Sequence, residues 1–279
     1  MSYLSKMNKK IISHNGEVCY RVIGSGQPVV LVHGFGEDGS IWDQQVERLK
    51  KNFQLIVPDL PGSGNSTLFT DQCTMELLAE SIHLILQQES ITRCVLIGHS
   101  MGGYITLAFA EKYPQLLKAF GLFHSTAYPD KEEKKEARRK SIVFIQQHGA
   151  AKFIEQFTPS LFSEGFRQNN PQIVKEVVQR YTNFSADALV HYYEAMILRP
   201  DRTAVLERFN GPVLFIMGTF DTAIPLDLNL QQCYVPRTSF IKILKDSGHM
   251  GMLEETEKAN RYLEKFLDEI EIVMPVQAL

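Results

Sequence analysis

The sequence predicts an α/β fold built on a mostly parallel eight-stranded sheet with helices on both faces, and three features of the chain point to it. Runs such as PVVLV at 28–32, CVLIG from Cys94 and PVLFIM at 212–217 show no polar alternation, the mark of strands covered on both faces. Helix-periodic segments at 75–88 and 101–112 fall between such runs, giving the strand, loop, helix rhythm of a parallel sheet. That rhythm stops near Pro129 and resumes at Pro212, so a helical insert interrupts one α/β body rather than ending it.

Taken in order, strands at 9–14 and 17–23 flank Asn15-Gly16, a dipeptide suited to the positive φ angles of a tight hairpin, so the chain opens with an antiparallel pair. Strands follow at 28–32, at QLIVPD from Gln54, at CVLIG and at KAFGLF from Lys118. Helical periodicity then covers 131–147, 150–157, 171–181 and 186–198, punctuated by Gly149, Pro159, Asn169-Asn170-Pro171 and Ser185. These boundaries divide the chain into a first core part at 1–128, a helical insert at 129–203 and a second core part at 204–279. The last strands lie at 212–217 and 240–244, and a final helix turns Leu253, Tyr262, Leu263, Phe266, Leu267 and Ile270 inward. The one dense charge block, KEEKKEARRK from Lys131, places Glu132 three residues before Lys135 and Glu136 four before Lys140, as on a solvated helix face.

With 279 residues, 29 basic and 32 acidic side chains and a net charge of −3, the chain has a globular composition and no basic field for nucleic acid. Cys19, Cys73, Cys94 and Cys233 form no CxxC pair and have no zinc-type histidine spacing, so they read as reduced packing residues. MSYLSKMNKK is basic but leads into no apolar h-region, and no window approaches the roughly 18 apolar residues of a membrane span. The expectation is a cytoplasmic protein without a membrane or nucleic-acid partner; nothing in the pattern sets an oligomeric state.

Gly98-His99-Ser100-Met101-Gly102 satisfies G-x-S-x-G between a strand and a helix, the context in which a sharp turn lifts one hydroxyl clear of the backbone. Phosphate binding is a weak rival, because neither G-x-G-x-x-G nor GxxxxGK[ST] occurs. A serine needs a base, and eight histidines compete. His99 adjoins Ser100, where side chains diverge, and His33 reads as a structural hydrogen-bonding residue. His14, His83, His148 and His191 have no supporting context, while His124 closes a strand and is a candidate for lining a pocket. His249, in Asp246-Ser247-Gly248-His249-Met250, follows the last strand at the same carboxyl edge as Ser100 and is the expected base. Asp221, after PVLFIM, is the expected acid that orients it; Asp246 is expected to shape its loop and Asp59 to cap the turn LPGSGNS.

The order Ser100, Asp221, His249 resembles that of the α/β-hydrolase superfamily, as do His33-Gly34-Phe35-Gly36, Asp59 to Ser66, Gly98 to Gly103, Gly218 to Asp221 and Gly248-His249. The resemblance implies an α/β-hydrolase fold with 129–203 as a helical cap, and backbone N–H groups of Phe35 and Met101 as an oxyanion hole, leaving both side chains free to line an acyl pocket. Serine at the elbow sets the chain apart from dehalogenase-like and epoxide-hydrolase-like members, which use aspartate there, and toward carboxylesterases, enol-lactonases, cofactor-free perhydrolases and carbon-carbon hydrolases. It implies hydrolysis of a small ester, lactone or thioester acyl substrate through an acyl-enzyme, with no metal or organic cofactor. Alternatives are carbon-carbon hydrolysis, acyl transfer to another acceptor, or a slow-turnover ligand receptor. Phe144, Phe153, Phe157, Phe162 and Met196 are the cap residues from which a pocket lining would be drawn, and Trp42 is expected to pack.

Overall fold

In a computed structural model, residues 8–13, 16–68 and 73–273 are described. Eight strands form one sheet: β1 (Asn8–Ser13), β2 (Gly16–Ile23), β3 (Gln27–Val32), β4 (Phe53–Pro58), β5 (Cys94–His99), β6 (Leu117–Phe123), β7 (Val213–Gly218) and β8 (Ser239–Leu244). Their spatial order is β1-β2-β4-β3-β5-β6-β7-β8. β1 pairs antiparallel with β2, and β2 with β4; every later pairing is parallel. The hairpin's Asn15 lies outside the described residues, while the strands it joins are paired from Ser13↔Gly16 outward.

β5 and β7 are buried along their whole length, and β3 and β6 at all but one position. A central parallel strand reaches that state only when helices cover both faces, which explains the missing polar alternation. The helices are α1 (Asp43–Leu49), α2 (Met75–Gln88), α3 (Met101–Lys112), α4 (Glu132–His148), α5 (Ala150–Ser160), α6 (Glu164–Asn169), α7 (Pro171–Tyr181), α8 (Ala186–Leu198), α9 (Thr203–Arg208), α10 (Leu226–Gln232), α11 (Gly251–Glu254) and α12 (Thr256–Val273). α2 packs on α3, and α1 on α12. Thr74, Ser163 and Ser185 accept hydrogen bonds from the first turns of α2, α6 and α8, satisfying donors the helices cannot use internally.

α4 through α8 run between β6 and β7, where the strand rhythm was expected to fail. The expected final helix is two: Glu255, at φ −128° and ψ 51°, separates α11 from α12, so Leu253 sits on a different element from Leu263, Phe266, Leu267 and Ile270. Those four are fully buried, with the Phe266 ring 5.2 Å from that of Phe240 on β8. Truncating Phe266 to alanine is therefore expected to cost about 3–5 kcal/mol, read as a lowered urea midpoint at unchanged slope.

Candidate active site

β5 ends at His99 and α3 begins at Met101, leaving Ser100 to reverse the chain alone. Its backbone sits at φ 50° and ψ −114°, a region that residues with side chains rarely occupy. The turn closes because its neighbours are glycines. A Cβ on Gly98 would lie 2.1 Å from the Gly102 carbonyl oxygen, and one on Gly103 2.2 Å from Ser125 Oγ. The Ser100 N–H donates to the Phe123 carbonyl at 2.9 Å, and its own carbonyl accepts from Ser125 Oγ at 2.7 Å. The backbone is thus pinned while the side chain stays partly exposed on a cavity of about 290 Å³.

His249 lines the same cavity. Its Nδ1 donates to Asp221 Oδ2 at 2.8 Å, which leaves Nε2 as the uncommitted ring nitrogen. Asp221 follows β7, and its Oδ1 accepts from the backbone N–H groups of Ala223 and Ile224 at 2.9 and 2.8 Å. Burial alone would raise the Asp221 carboxyl; the His249 charge and hydrogen bonds from His124 and His249 outweigh it and hold the group well below the usual carboxylate range. The structure therefore brings Ser100, His249 and Asp221, from three distant parts of the chain, to one sheet edge.

His124 departs from expectation. It is fully buried and is not on the cavity wall; its ring lies behind Asp221, with Nδ1 donating to the same Oδ2 at 3.0 Å and Nε2 accepting from the Gly251 N–H at 3.3 Å. Burial pushes its imidazole down to about 4, so it is neutral, in the tautomer that those two bonds require. Its backbone, at φ 50°, is also left-handed, since the strand must bend there to aim the ring inward. The side chain of Met101 departs too: it is fully buried and lines no part of the cavity, because α3 packs against the sheet from its first residue. Phe35 does line the cavity, with its ring 4.2 Å from that of Tyr193 and 5.7 Å from that of Phe157. The N–H groups of Phe35 and Met101 donate to no other group among the described residues.

A second buried pair lies beside the first. Glu37 accepts from the Gly34 N–H at 2.7 Å and from His99 Nδ1 at 3.0 Å, while His99 Nε2 donates to the His249 carbonyl at 3.0 Å. Burial disfavours both charges, but each outweighs the other's desolvation: the Glu37 carboxyl is lowered and the His99 imidazole raised. Both ring nitrogens of His99 are thus taken, and the side chain ties the loop after β3 to the loop carrying His249. The only sequence signal was a glutamate three residues beyond the glycine of His33-Gly34.

Other expectations hold in detail. His33 Nε2 accepts from the Leu60 N–H and pairs with Ser63 Oγ; the Asp59 carboxylate accepts from Gly39 and Asn65. Asp246 uses its backbone to fasten its loop to Glu255 and Ser163, and Trp42 packs fully buried against Phe123. His83 stacks on Tyr113 and His148 packs on Phe144; His14 lies outside the described residues. Of the insert residues considered, Phe157 and Met196 line the cavity, Phe153 packs on Phe35 and Phe162 stacks on Phe166. All four cysteines are unpaired. Donor atoms of His124, Asp221 and His249 lie within 4.8 Å of one another, a spacing that would also suit a cation. Both histidines already donate into Asp221 Oδ2, so a metal would have to displace both hydrogen bonds and the Gly251 contact.

Beyond the cavity, Asp130 accepts from Arg138 Nε at 2.6 Å and from Arg199 Nη2 at 2.9 Å, with Arg199 Nη1 also 2.9 Å away as an ion-pair partner, joining α4 to the end of α8. Burial would raise this carboxyl, but the Arg199 hydrogen bond and the Arg138 charge hold it at about 2.

Fold and elbow together define an α/β hydrolase. Residues 27–138 match the α/β hydrolase fold family, and the chain belongs to it. It is similar to a thermophilic esterase from Thermogutta terrifontis at 30% identity and a TM-score of 0.89, covering 94% of this chain and 98% of that one. It is 27% identical over 270 residues to Lipase 1 of Psychrobacter immobilis, covering 93% of this chain and 81% of the lipase. The enol-lactonase from Burkholderia xenovorans shares the fold at 21% identity and a TM-score of 0.85, covering 93% of this chain and 100% of the lactonase. Among the described residues no helix is long and apolar enough to cross a membrane.

Because the folded Asp130 carboxyl lies below its ordinary value, its contribution to stability is complete above about pH 4 and is lost as pH falls toward 2. Urea unfolding at pH 5 and at pH 2 should show the wild type losing about 2 kcal/mol more than Asp130→Asn across that interval.

Proposed function

We propose that the protein is a serine hydrolase that cleaves a small carboxylic ester, lactone or thioester through an acyl-enzyme. The observation that carries the reading is Ser100, strained and partly exposed, on the wall of the cavity that also holds His249, whose Nδ1 is committed to Asp221. Ser100 Oγ attacks the carbonyl carbon and His249 Nε2 takes its proton. The carbonyl oxygen becomes an oxyanion received by the N–H groups of Phe35 and Met101, the second at the positive end of α3. Collapse expels the alcohol or thiol, which recovers the proton from His249. Water then attacks the acyl-serine with His249 again as base, releasing the acid and regenerating Ser100.

Asp221 stabilises the imidazolium, and His124 positions Asp221 from behind without entering the cavity. None of these steps calls for a metal or organic cofactor. α4 through α8 act as a cap over residues 129–203, supplying Phe157, Tyr193 and Met196 as apolar walls for the acyl group. The esterase and lipase relatives support ester hydrolysis as the reaction class.

Steady-state hydrolysis of 4-nitrophenyl esters of increasing acyl length tests this. Wild type should turn over continuously, and Ser100→Ala should lose about 10³- to 10⁶-fold in kcat. A single burst without turnover, or equal rates from the two proteins, would overturn the reading.

A further inference from the structure

The charge block from Lys131 has two faces, and one of them borders the cavity. On the outer face Glu132 pairs with Lys135 at 2.8 Å, and Glu136 with Arg139, not Lys140, at 3.3 Å. Lys134 and Arg138, one helical turn apart, lie instead on the wall of the cavity that holds Ser100 and His249. The Arg138 side chain is only 12% exposed. Its Nε is taken by Asp130, but its two terminal nitrogens donate to no group among the described residues. Four N–H donors of this guanidinium therefore have no protein acceptor among the described residues and stand on the cavity wall, available to a ligand.

The charge balance points the same way. Asp130 serves Arg138 and Arg199 together and stands 4.0 Å from Lys134, so one carboxylate faces three cations. Lys134 also donates to the Ala223 carbonyl, which holds the ammonium near the cavity without neutralising it. Glu37, the carboxylate that does line the wall, is committed to His99 and the Gly34 N–H. The Tyr193 ring, 5.5 Å from the Arg138 guanidinium carbon, supports the guanidinium from one side.

We propose that Arg138, assisted by Lys134, is an anion subsite of this cavity that binds a carboxylate carried by the substrate. This rests on the reading of the cavity as the site of ester cleavage. A guanidinium fork matches a carboxylate through paired N–H donors, and the apolar walls of Phe35, Phe157 and Met196 suit the short methylene chain between that carboxylate and the scissile carbonyl. The favoured substrate is a half-ester of a short dicarboxylic acid, or a lactone bearing a free carboxylate.

The test compares the 4-nitrophenyl half-ester of adipate with 4-nitrophenyl hexanoate, which has the same acyl length and no terminal charge. Wild type should favour the half-ester at least tenfold in kcat/KM, and Arg138→Met should lower that ratio by tenfold or more. Arg138→Lys keeps a cation for Asp130 and so carries the test should the methionine variant fail to fold; without the planar fork it should lower the ratio at least threefold. A wild-type ratio near one, or a ratio unchanged in both variants, would overturn the proposal. Adipate binding to Ser100→Ala, followed by calorimetry, separates this inference from the hydrolytic one. Binding that outcompetes adipamide and weakens at least threefold with Arg138→Lys upholds the subsite even if no ester is turned over, whereas equal binding of adipate and adipamide, or adipate binding unchanged by Arg138→Lys, sinks it.

Discussion

Every other part of the site is placed relative to one backbone reversal, the left-handed turn at Ser100. It exists only because Gly98, Gly102 and Gly103 let β5, α3, the end of β3 and Ser125 beyond β6 approach to distances that no Cβ would permit. Close packing makes the strain tolerable: the turn's N–H and carbonyl are both bonded to β6 or the residues just beyond it. A rigid sheet then holds the hydroxyl at its carboxyl edge, where the loops after β3, β7 and β8 also end.

Around that point the protein keeps two buried carboxylate–imidazole systems, and they do different work. Asp221 shares one oxygen between two histidines and gives the other to backbone N–H groups, so the carboxylate is saturated and cannot swing. His124 is held neutral by its burial, so the pair of histidines puts no second positive charge beside the first. Glu37 and His99 form a buried ion pair whose hydrogen bonds end on the Gly34 N–H and the His249 carbonyl. Such a pair adds little net stability, because desolvation consumes most of the attraction. What it supplies here is geometry, fixing two loops that come from opposite ends of the chain.

The inserted helices complete the enclosure. Aromatic contacts from Phe153, Phe157 and Tyr193 to Phe35 fasten them to the loop after β3. The Asp130 cluster fastens α4 to α8 with one carboxylate and more positive charge than it can neutralise. The polarity of the cavity is thus set by helices outside the sheet, while the sheet sets the position of the hydroxyl.

The sequence alone determined the sheet, the helices inserted between β6 and β7 and the glycine-flanked turn at Ser100, because these depend on local pattern. Unbroken apolar runs, 3.6-residue periodicity over ten or more positions and glycines flanking a serine are all legible without knowing what packs against them. Helices of four to seven residues, such as α1, α6, α10 and α11, escaped because they are too short to show a period. The break at Glu255 escaped for a related reason: both helices carry the same apolar stripe. Apart from Asp221 and His249, tertiary structure alone decided the partners of buried charges. Whether His124 faces a cavity or a carboxylate, and whether Arg138 faces water or a pocket wall, depends on groups about 50 to 100 residues away that bear no local mark in the chain. Charge interactions act through space in a desolvated interior, whereas the pattern of a sequence records only neighbours along the backbone.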